Sequence, residues 1–481
     1  MTWRVLILLH RYLGVAIGAL MLMWFASGIV MLYVPYPSLP EQERLAILQP
    51  IAWQGCCGIG AGALTADQPI ERAEVESVAG TLILRFALPG RSPTLIALGA
   101  SEPEVSLDLA HERSIAAAAA RRWGVTPAQP STEQTIVRDQ WTVGGEYNAD
   151  RPLARFGFKD RARTRIYVSG DSGRVVLRTT ARQRFWNWLG AVPHWLYPTA
   201  LRRHARAWTQ VVIWTAILGV FLTSLGLYLG IVQFRSRGKR LLSPYAGIWN
   251  WHHSLGLLFG VFALTWVASG LVSMNPWGFL ESGPGPRPQP DARSITWGEV
   301  HSSLVAIARR PPLPGIVSLG MAPFAGKLFW IATAQDGAQA RLDAAGDVSS
   351  LTRTQLLDAA QHAAGFQGIA AALLLRTADP YYYQRRGAIR LPVLRVILND
   401  ADRTRLYVDP LSGRLLARVD RAARWQRWLF DGLHTLDFSA RLRASVAWSA
   451  LVLLLLLGGL VLSTTGTYLA VRRVIRDLTH R

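Results

Sequence analysis

The chain has 481 residues, half of them from the apolar set, and a formal net charge of +21. Its two cysteines, Cys56 and Cys57, are adjacent, which excludes a C-x-x-C-H motif for covalent haem attachment and a cysteine-ligated iron–sulfur or zinc site. Lysine occurs only three times, so arginine supplies nearly all the positive charge. This excess indicates either anchoring to anionic lipid or a surface that attracts anionic ligands.

Four stretches of 27 to 29 residues carry no Asp, Glu, Lys or Arg. In chain order they are Tyr12 to Pro40, Ala207 to Phe234, Ser254 to Leu280 and Ala444 to Val471. Each is long enough to cross a hydrocarbon core about 30 Å thick, which needs roughly 20 helical residues. The first stretch is longer than the core of a cleaved signal peptide, and no A-x-A cleavage motif follows it. We therefore predict four transmembrane helices.

The short basic segments predict the orientation in the bilayer, because such segments stay in the cytoplasm. They contain Arg235, Arg237, Lys239 and Arg240 after the second stretch, and Arg472, Arg473, Arg476 and Arg481 after the fourth. We expect a bacterial inner-membrane protein with both termini in the cytoplasm and two large periplasmic domains. The lipid bilayer is then an expected partner, and nucleic acid is not.

This topology divides the chain into eight predicted segments. They are transmembrane helix 1 (1–40), periplasmic domain 1 (41–206), transmembrane helix 2 (207–234), a cytoplasmic loop (235–251), transmembrane helix 3 (252–280), periplasmic domain 2 (281–443), transmembrane helix 4 (444–471) and a cytoplasmic tail (472–481).

The two halves of the chain are similar. Thr-Arg-Ile-Tyr-Val-Ser-Gly-Asp-Ser-Gly-Arg at 164–174 returns as Thr-Arg-Leu-Tyr-Val-Asp-Pro-Leu-Ser-Gly-Arg at 404–414, an offset of 240. The same offset pairs Asp139 with Asp379, Arg155 with Arg395, His194 with His434 and Gly226 with Gly466. An offset of 242 pairs His10 with His252 and Gly28 with Gly270. We predict two parallel repeats, each made of a span, an external domain and a second span.

Each external segment is predicted to have an α+β fold. Helical patterns occur at 114–123 and 354–364, and β-type runs occur at 81–88, 165–168, 175–177, 328–332, 393–398 and 405–408. The Ser-Gly-Arg turns after Tyr167 and Tyr407 predict β-hairpins.

Four of the ten histidines form two pairs related by the repeat. His10 and His252 lie near the predicted cytoplasmic ends of spans one and three, and His194 and His434 shortly precede spans two and four. Two neutral imidazoles from facing helices can hold a haem b without covalent attachment. An alternative is that these histidines are interfacial anchors. His253 and His204 have no histidine partner in the other half and are second choices as ligands.

Three motifs resemble those of PepSY-associated transmembrane proteins. They are His10-Arg-Tyr-Leu-Gly14, Trp428 with Leu433-His434-Thr435, and Tyr407-Val-Asp-Pro-Leu-Ser-Gly-Arg414. The resemblance covers nearly the whole chain and is to siderophore reductases of the ferrioxamine type. It implies PepSY-like periplasmic domains, two b haems held by the four paired histidines, and reduction of ferric siderophores or other ferric chelates in the periplasm. The first half departs from the pattern at Pro193-His194-Trp195 and at Ser169-Gly170-Asp171.

The expected activity is therefore electron transfer from a cytoplasmic or quinol donor to a ferric chelate, first through an inner haem (His10, His252) and then an outer one (His194, His434). Trp141, Tyr381, Tyr382 and Tyr383 are candidates for binding the chelate, and their alternative role is in the domain cores. Two other classes remain open. One is a non-redox binding or regulatory protein that acts on a periplasmic peptidase or cell-wall enzyme; the other is a permease, although the spans lack the acidic residues of a proton or cation path.

Overall fold

A computed structural model describes residues 2–53, 64–99, 107–237, 240–281, 293–310, 314–365, 368–385 and 389–479. Cys56 and Cys57 lie outside the described residues. The chain forms two compact units. The first contains residues 1–36, 182–283 and 421–481, and the second contains residues 37–181 and 284–420.

The described α-helices range in length from 3 to 34 residues. In chain order they are α1 (Thr2–Tyr33), α2 (Glu41–Ile47), α3 (Leu109–Arg122), α4 (Ala181–Leu189), α5 (Ala191–His194), α6 (Thr199–Arg202), α7 (Ala205–Gln233), α8 (Gly247–Ser273), α9 (Trp297–Arg309), α10 (Arg353–Ala363), α11 (Arg421–Gln426), α12 (Leu433–Thr435), α13 (Ala440–Arg443) and α14 (Val446–Thr479). Short 3-10 helices cover Gly145–Asp150 and Pro276–Gly278, and a π-helical segment covers Arg427–Gly432.

The described strands are short and pair in an antiparallel manner. In chain order they are β1 (Pro69–Ile70), β2 (Arg72–Val78), β3 (Thr81–Ala87), β4 (Thr94–Ala97), β5 (Thr132–Ile136), β6 (Leu153–Gly157), β7 (Arg165–Ser169), β8 (Val175–Thr179), β9 (Arg235–Arg237), β10 (Arg240–Leu242), β11 (Ile295–Thr296), β12 (Ile316–Met321), β13 (Phe329–Ala334), β14 (Gln339–Asp343), β15 (Ile369–Leu375), β16 (Val393–Leu398), β17 (Arg405–Val408) and β18 (Leu415–Val419).

The first unit contains four helices that are long and apolar enough to cross a membrane, namely α1, α7, α8 and α14. Their best windows have a mean hydropathy of 2.0 to 2.4. This confirms the prediction of a multi-pass membrane protein. The helices do not end where the charge-free stretches end. α14 continues past the charge-free stretch through Arg476, because the long side chain of arginine can extend to the membrane surface. α8 ends at Ser273, three residues before Pro276, because proline cannot continue a helix.

The four long helices pack around an apolar core, with α1 on α14, α14 on α8, α8 on α7 and α7 on α1. Core residues include Met21, Phe25 and Trp266. Glycine lets aromatic rings approach the helix backbone: a Cβ at position 459 would lie 2.3 Å from a ring carbon of Phe25. The outer faces remain apolar and exposed, as expected for contact with lipid, and examples are Trp214, Leu258 and Leu454.

The second unit contains three main sheets. The largest has six strands in the order β14-β13-β12-β2-β3-β4, and the two smaller ones have the orders β5-β6-β7-β8 and β15-β16-β17-β18. The six-stranded sheet combines strands from both halves of the chain, because β2 pairs with β12 through Val75 and Leu319. α9 contributes to the core of this sheet, α3 packs on the first four-stranded sheet and α10 on the second. Both predicted hairpins are present.

A buried ion cluster connects the six-stranded sheet to the β7–β8 hairpin within the second unit. Glu76 accepts hydrogen bonds from Arg44 and Arg85, each 2.6 Å long, and Arg85 Nε donates to the carbonyl oxygen of Ser172. Burial would raise the pKa of Glu76, but the two guanidinium groups outweigh burial and hold the pKa well below its usual range. The carboxylate is therefore ionised, and its role is structural.

Candidate histidine site

The structure brings His10 of α1 and His252 of α8 together inside the bundle. Their imidazole centroids are 6.4 Å apart, and the ring planes are inclined by 39°. A metal–imidazole bond is about 2.0–2.1 Å long and the ring centre lies about 1.1 Å beyond the nitrogen, so two imidazoles on opposite sides of one metal have centroids about 6.3 Å apart. The first pair, here called the inner pair, therefore has the spacing of two axial ligands.

His194 at the end of α5 and His434 in α12 form the outer pair. Their centroids are 6.1 Å apart and the rings are inclined by 69°, so this pair also has the spacing of two axial ligands. The short helix α5 packs on α1, and α12 packs on α8. A tryptophan of the following long helix fixes each loop: Trp208 Nε1 donates to the carbonyl oxygen of Trp195, and Trp448 Nε1 donates to that of Thr435.

Hydrogen bonds at Nδ1 fix the tautomer of each outer imidazole. His194 Nδ1 lies 3.1 Å from the carbonyl oxygen of Trp24 and 3.1 Å from Ser27 Oγ. His434 Nδ1 has the same two contacts, at 3.1 Å each, with the carbonyl oxygen of Trp266 and with Ser269 Oγ. A carbonyl oxygen only accepts, so Nδ1 carries the proton and Nε2 is the unprotonated nitrogen. This is the tautomer in which imidazole binds iron through Nε2.

Burial also favours the neutral ligand form. It lowers the pKa of His194 to about 4, and the hydrogen bond to Trp24 opposes this shift without cancelling it. The imidazole is then uncharged at pH 7, as a metal ligand must be.

The two members of the inner pair differ in their hydrogen bonds. His252 Nδ1 lies 3.1 Å from Thr465 Oγ1, which itself donates to the carbonyl oxygen of Leu462. His10 Nδ1 is buried without a well-formed hydrogen bond within the described part of the chain. The offset of 240 places Leu225, which has no hydroxyl, opposite Thr465.

A glycine of a neighbouring helix faces each of the four imidazoles. A Cβ added to Gly226 would lie 2.7 Å from His10 Cε1, and one added to Gly466 would lie 2.9 Å from His252 Cε1. At the outer pair, Gly28 and Gly270 would each place a Cβ 3.6 Å from the Cε1 atom of His194 and His434 respectively. The bundle therefore leaves space beside every imidazole, and the space is tightest at the inner pair.

A cavity of about 710 Å³ contains the inner pair. This volume lies within the range of about 300–1,000 Å³ that is usual for cofactor pockets. Both imidazoles line it, together with a set of glycines that keep its walls close to the helix backbones: Gly14, Gly18, Gly226, Gly230, Gly256, Gly260 and Gly466.

The distance between the pairs follows from the helices that carry them. Ser27, which contacts His194, lies 17 residues after His10 on α1, and Ser269 lies 17 residues after His252 on α8. At 1.5 Å per residue, the inner and outer pairs are ~25 Å apart along the bundle. They are therefore separate sites.

The second-choice histidines have other contacts. His253 Nδ1 lies 2.9 Å from Ser243 Oγ, and His253 Nε2 lies 2.9 Å from the carbonyl oxygen of Gly230. Both ring nitrogens are therefore engaged. His204 is exposed, and its Nε2 accepts a hydrogen bond from Arg203. Neither histidine is placed to join a pair.

The candidate aromatic residues lie in the second unit. Trp141 is only 3 % exposed, and its backbone N–H donates to Asp139 Oδ1, which favours a core role over contact with a ligand. Tyr382 stacks on Tyr407 with centroids 4.8 Å apart, and its hydroxyl donates to the carbonyl oxygen of Arg390.

The other two tyrosines of this segment, Tyr381 and Tyr383, are partly exposed, as Tyr382 is. The Arg405 guanidinium lies 4.3 Å from the Tyr381 ring centre. The three tyrosines are therefore accessible, whereas Trp141 is not.

Within the described ranges, no group of three or more His, Cys, Asp or Glu side chains could hold a bare metal ion. Paired histidines suit a metal whose other ligands come from a macrocycle, and the outer imidazoles protonated at Nδ1, the spacing of both pairs and the facing glycines fit a haem. In comparisons with known proteins, no family model matches the chain, and no curated protein matches it either.

The sequence predicts the histidine pairs but not the groups that orient them. The tripeptide Ala26-Ser27-Gly28 in the first span is repeated as Ala268-Ser269-Gly270 in the third span. In each tripeptide the serine contacts an outer imidazole and the glycine faces it. A small polar residue followed by glycine, repeated in two spans, is therefore the sequence pattern that indicates a role in orienting these imidazoles.

Proposed function

We propose that this chain is a membrane electron-transfer protein that holds two b haems and reduces ferric siderophores or other ferric chelates. The observation that carries the proposal is the pair of bis-histidine sites in one four-helix bundle, each with the centroid spacing of two axial ligands. A merely interfacial anchor needs no partner imidazole at that spacing, and the repeated spacing therefore favours ligation.

Each residue set has a distinct task under this proposal. His10 and His252 would hold the iron of the inner haem, and His194 and His434 would hold that of the outer haem. The Trp24 and Trp266 carbonyl groups orient the outer imidazoles, while the glycines leave room for the imidazole rings. When bound, haem supplies one-electron exchange between ferric and ferrous iron. Phe25 and Trp266 pack against each other in the apolar core of the bundle.

We place the chain in a bacterial inner membrane, with both termini in the cytoplasm, the second unit in the periplasm and a cytoplasmic or quinol electron donor. The orientation is supported by the basic segments at the ends of α7 and α14. On this topology the inner pair faces the donor, and the outer pair lies on the side of the acceptor.

The proposal includes two parallel repeats with PepSY-like external domains. It is supported by a helix followed by four antiparallel strands in both halves, α3 with β5 to β8 and α10 with β15 to β18. A shared cluster gives further support. Tyr167 and Arg155 donate to Asp139 in the first half. Tyr407 and Arg395 donate to Asp379 in the second.

For the ferric chelate, Tyr381, Tyr382 and Tyr383 are the candidate contacts, because they are partly exposed and the guanidinium group of Arg405 lies over the Tyr381 ring. Aromatic rings beside guanidinium groups suit an anionic, partly aromatic chelate. Trp141 is the weakest of the original candidates because it is buried.

The test is the absorption spectrum of the full-length protein, purified after expression with ample haem. The parent should show two haems per chain and a reduced-minus-oxidised difference spectrum of bis-histidine haem b. His252→Ala and His434→Ala should each remove about half of the haem, and His434→Ala should also abolish reduction of an added ferric chelate. His204→Ala, which changes an exposed histidine outside the pairs, is the matched control and should keep both haems.

A parent protein that binds no haem would overturn the proposal. The remaining function would then be the non-redox one, in which the external domains bind a periplasmic peptidase or cell-wall enzyme. A His252→Ala variant that keeps two full haems would instead overturn the inner assignment alone.

A further inference from the structure

The cavity around the inner pair has a strongly cationic end. Four arginines line it, here called the arginine cluster: Arg11, Arg472, Arg473 and Arg476. The described lining contains no aspartate or glutamate. Arg11, Arg472 and Arg476 are exposed and Arg473 is partly exposed, so four like charges gather at a solvent-accessible end of the cavity and favour binding of an anion there.

The positions of these arginines relate them to the inner imidazoles. Arg11 follows His10 directly on α1. On α14, Arg473 and Arg476 follow Gly466, the glycine that faces His252, by seven and ten residues. Seven residues are nearly two turns, so Arg473 lies on the same face of the helix as Gly466, ~10 Å further along the axis. The cluster therefore flanks the histidine pair on one side of the cavity.

Internal contacts offset only part of this charge. Arg473 Nε pairs with Asp477 at 2.8 Å. The Arg472 guanidinium lies over the ring of Tyr468, and that of Arg11 lies 5.8 Å from the Trp249 ring centre. Contacts with aromatic rings do not neutralise a guanidinium group. Within the described part of the chain, Arg11 and Arg476 form no ion pair.

We propose that the arginine cluster is a carboxylate-binding subsite, which holds the two propionate groups of the macrocycle ligated by His10 and His252 and so sets the direction in which that macrocycle enters the cavity. The inference rests on the proposed function. Guanidinium groups bind carboxylates through paired, charge-assisted hydrogen bonds, which are stronger than neutral ones. The phosphate of an anionic lipid offers the same chemistry, and the experiment separates the two sources.

The experiment measures haem affinity at the inner pair alone, in full-length protein carrying His434→Ala and depleted of haem in a neutral detergent. Haem b is titrated in parallel with its dimethyl ester, in which both propionates are uncharged. We expect Arg11→Gln combined with Arg476→Gln to weaken binding of haem b at least tenfold and to change binding of the ester less than twofold. Arg4→Gln, an exposed charge on the same helix that does not line the cavity, should change neither.

The ester also reports on folding, because a variant that binds the ester normally has an intact pocket. If the double variant keeps the parent's ratio of haem to ester affinity, the inference is wrong while the proposed function stands. If the ratio is unchanged and the variant loses co-purified phosphatidylglycerol, the cluster binds lipid phosphate, which also overturns it. If the His434→Ala protein binds neither haem nor ester, both this inference and the inner haem site fall.

Discussion

A methyl group at position 226 should disrupt the inner site without weakening the fold. The Cβ of Gly226→Ala would lie 2.7 Å from His10 Cε1, whereas carbon atoms in contact are normally about 3.5–4.0 Å apart. The imidazole must move by about 1 Å. Overpacking of this kind typically costs about 1–3 kcal/mol. If the methyl group destabilises only the haem-bound position of the imidazole, haem affinity at the inner pair decreases roughly fivefold to 150-fold.

The matched control is Gly270→Ala at the outer pair. Its Cβ would lie 3.6 Å from His434 Cε1, which is an ordinary contact, so the outer imidazole can stay in place. In the interior of a helix, alanine is about 0.8–1.0 kcal/mol more favourable than glycine. Both substitutions should therefore leave the helices intact, and only the contact with the imidazole distinguishes them.

The assay is a haem titration of each variant, with the melting temperature of the haem-depleted protein as the check on folding. We expect Gly226→Ala to lose inner haem and Gly270→Ala to keep both centres. Gly466→Ala, whose Cβ would lie 2.9 Å from His252 Cε1, should behave like Gly226→Ala but more mildly. Equal affinities for all three variants would refute the argument that these glycines make room for the ligated imidazoles.

Three further outcomes are expected. His253→Ala should keep both haems, because its two ring nitrogens are already bonded to other groups, and the haem content per chain checks this. Asp379→Asn should destabilise the second unit by about 1–3 kcal/mol in chemical denaturation, because the buried Tyr407 hydroxyl loses a charged acceptor. Burial raises the pKa of Glu112 to about 7, so stability should fall as the pH rises from about 4.5 through 7; Glu112→Gln should flatten that slope in thermal melts.

The sequence predicted the elements well where one local signal dominates. Uninterrupted apolar stretches identified all four long helices, and the turn before Arg174 identified the β7–β8 hairpin, where Gly173 adopts a φ of 64°. It did not predict the six-stranded sheet. The pairing of Val75 with Leu319 joins segments more than 200 residues apart, and only tertiary packing specifies such a register.

The histidine pairs could be anticipated because position along a helix is a local property. Residues at equivalent places in two spans lie at one depth, so the register that pairs His10 with His252 also predicts their proximity. Contacts between a helix and its neighbours involve residues that are distant in the sequence. The engagement of His253 by Ser243 and the burial of Trp141 depend on which helix or sheet packs alongside, and no periodicity in the sequence encodes that choice.

The same two helices position both pairs, which has a mechanical consequence. α1 carries His10 and also presents the Trp24 carbonyl group and Ser27 to His194, and α8 carries out both tasks for His252 and His434. The axial separation of the two sites is thus set by the rise of single continuous helices, and no loop lies between them. When α1 tilts or shifts against α7, the His10 imidazole moves together with the Trp24 carbonyl group and Ser27, which contact His194. A tilt of either helix therefore leaves the distance along that helix between the two sites unchanged.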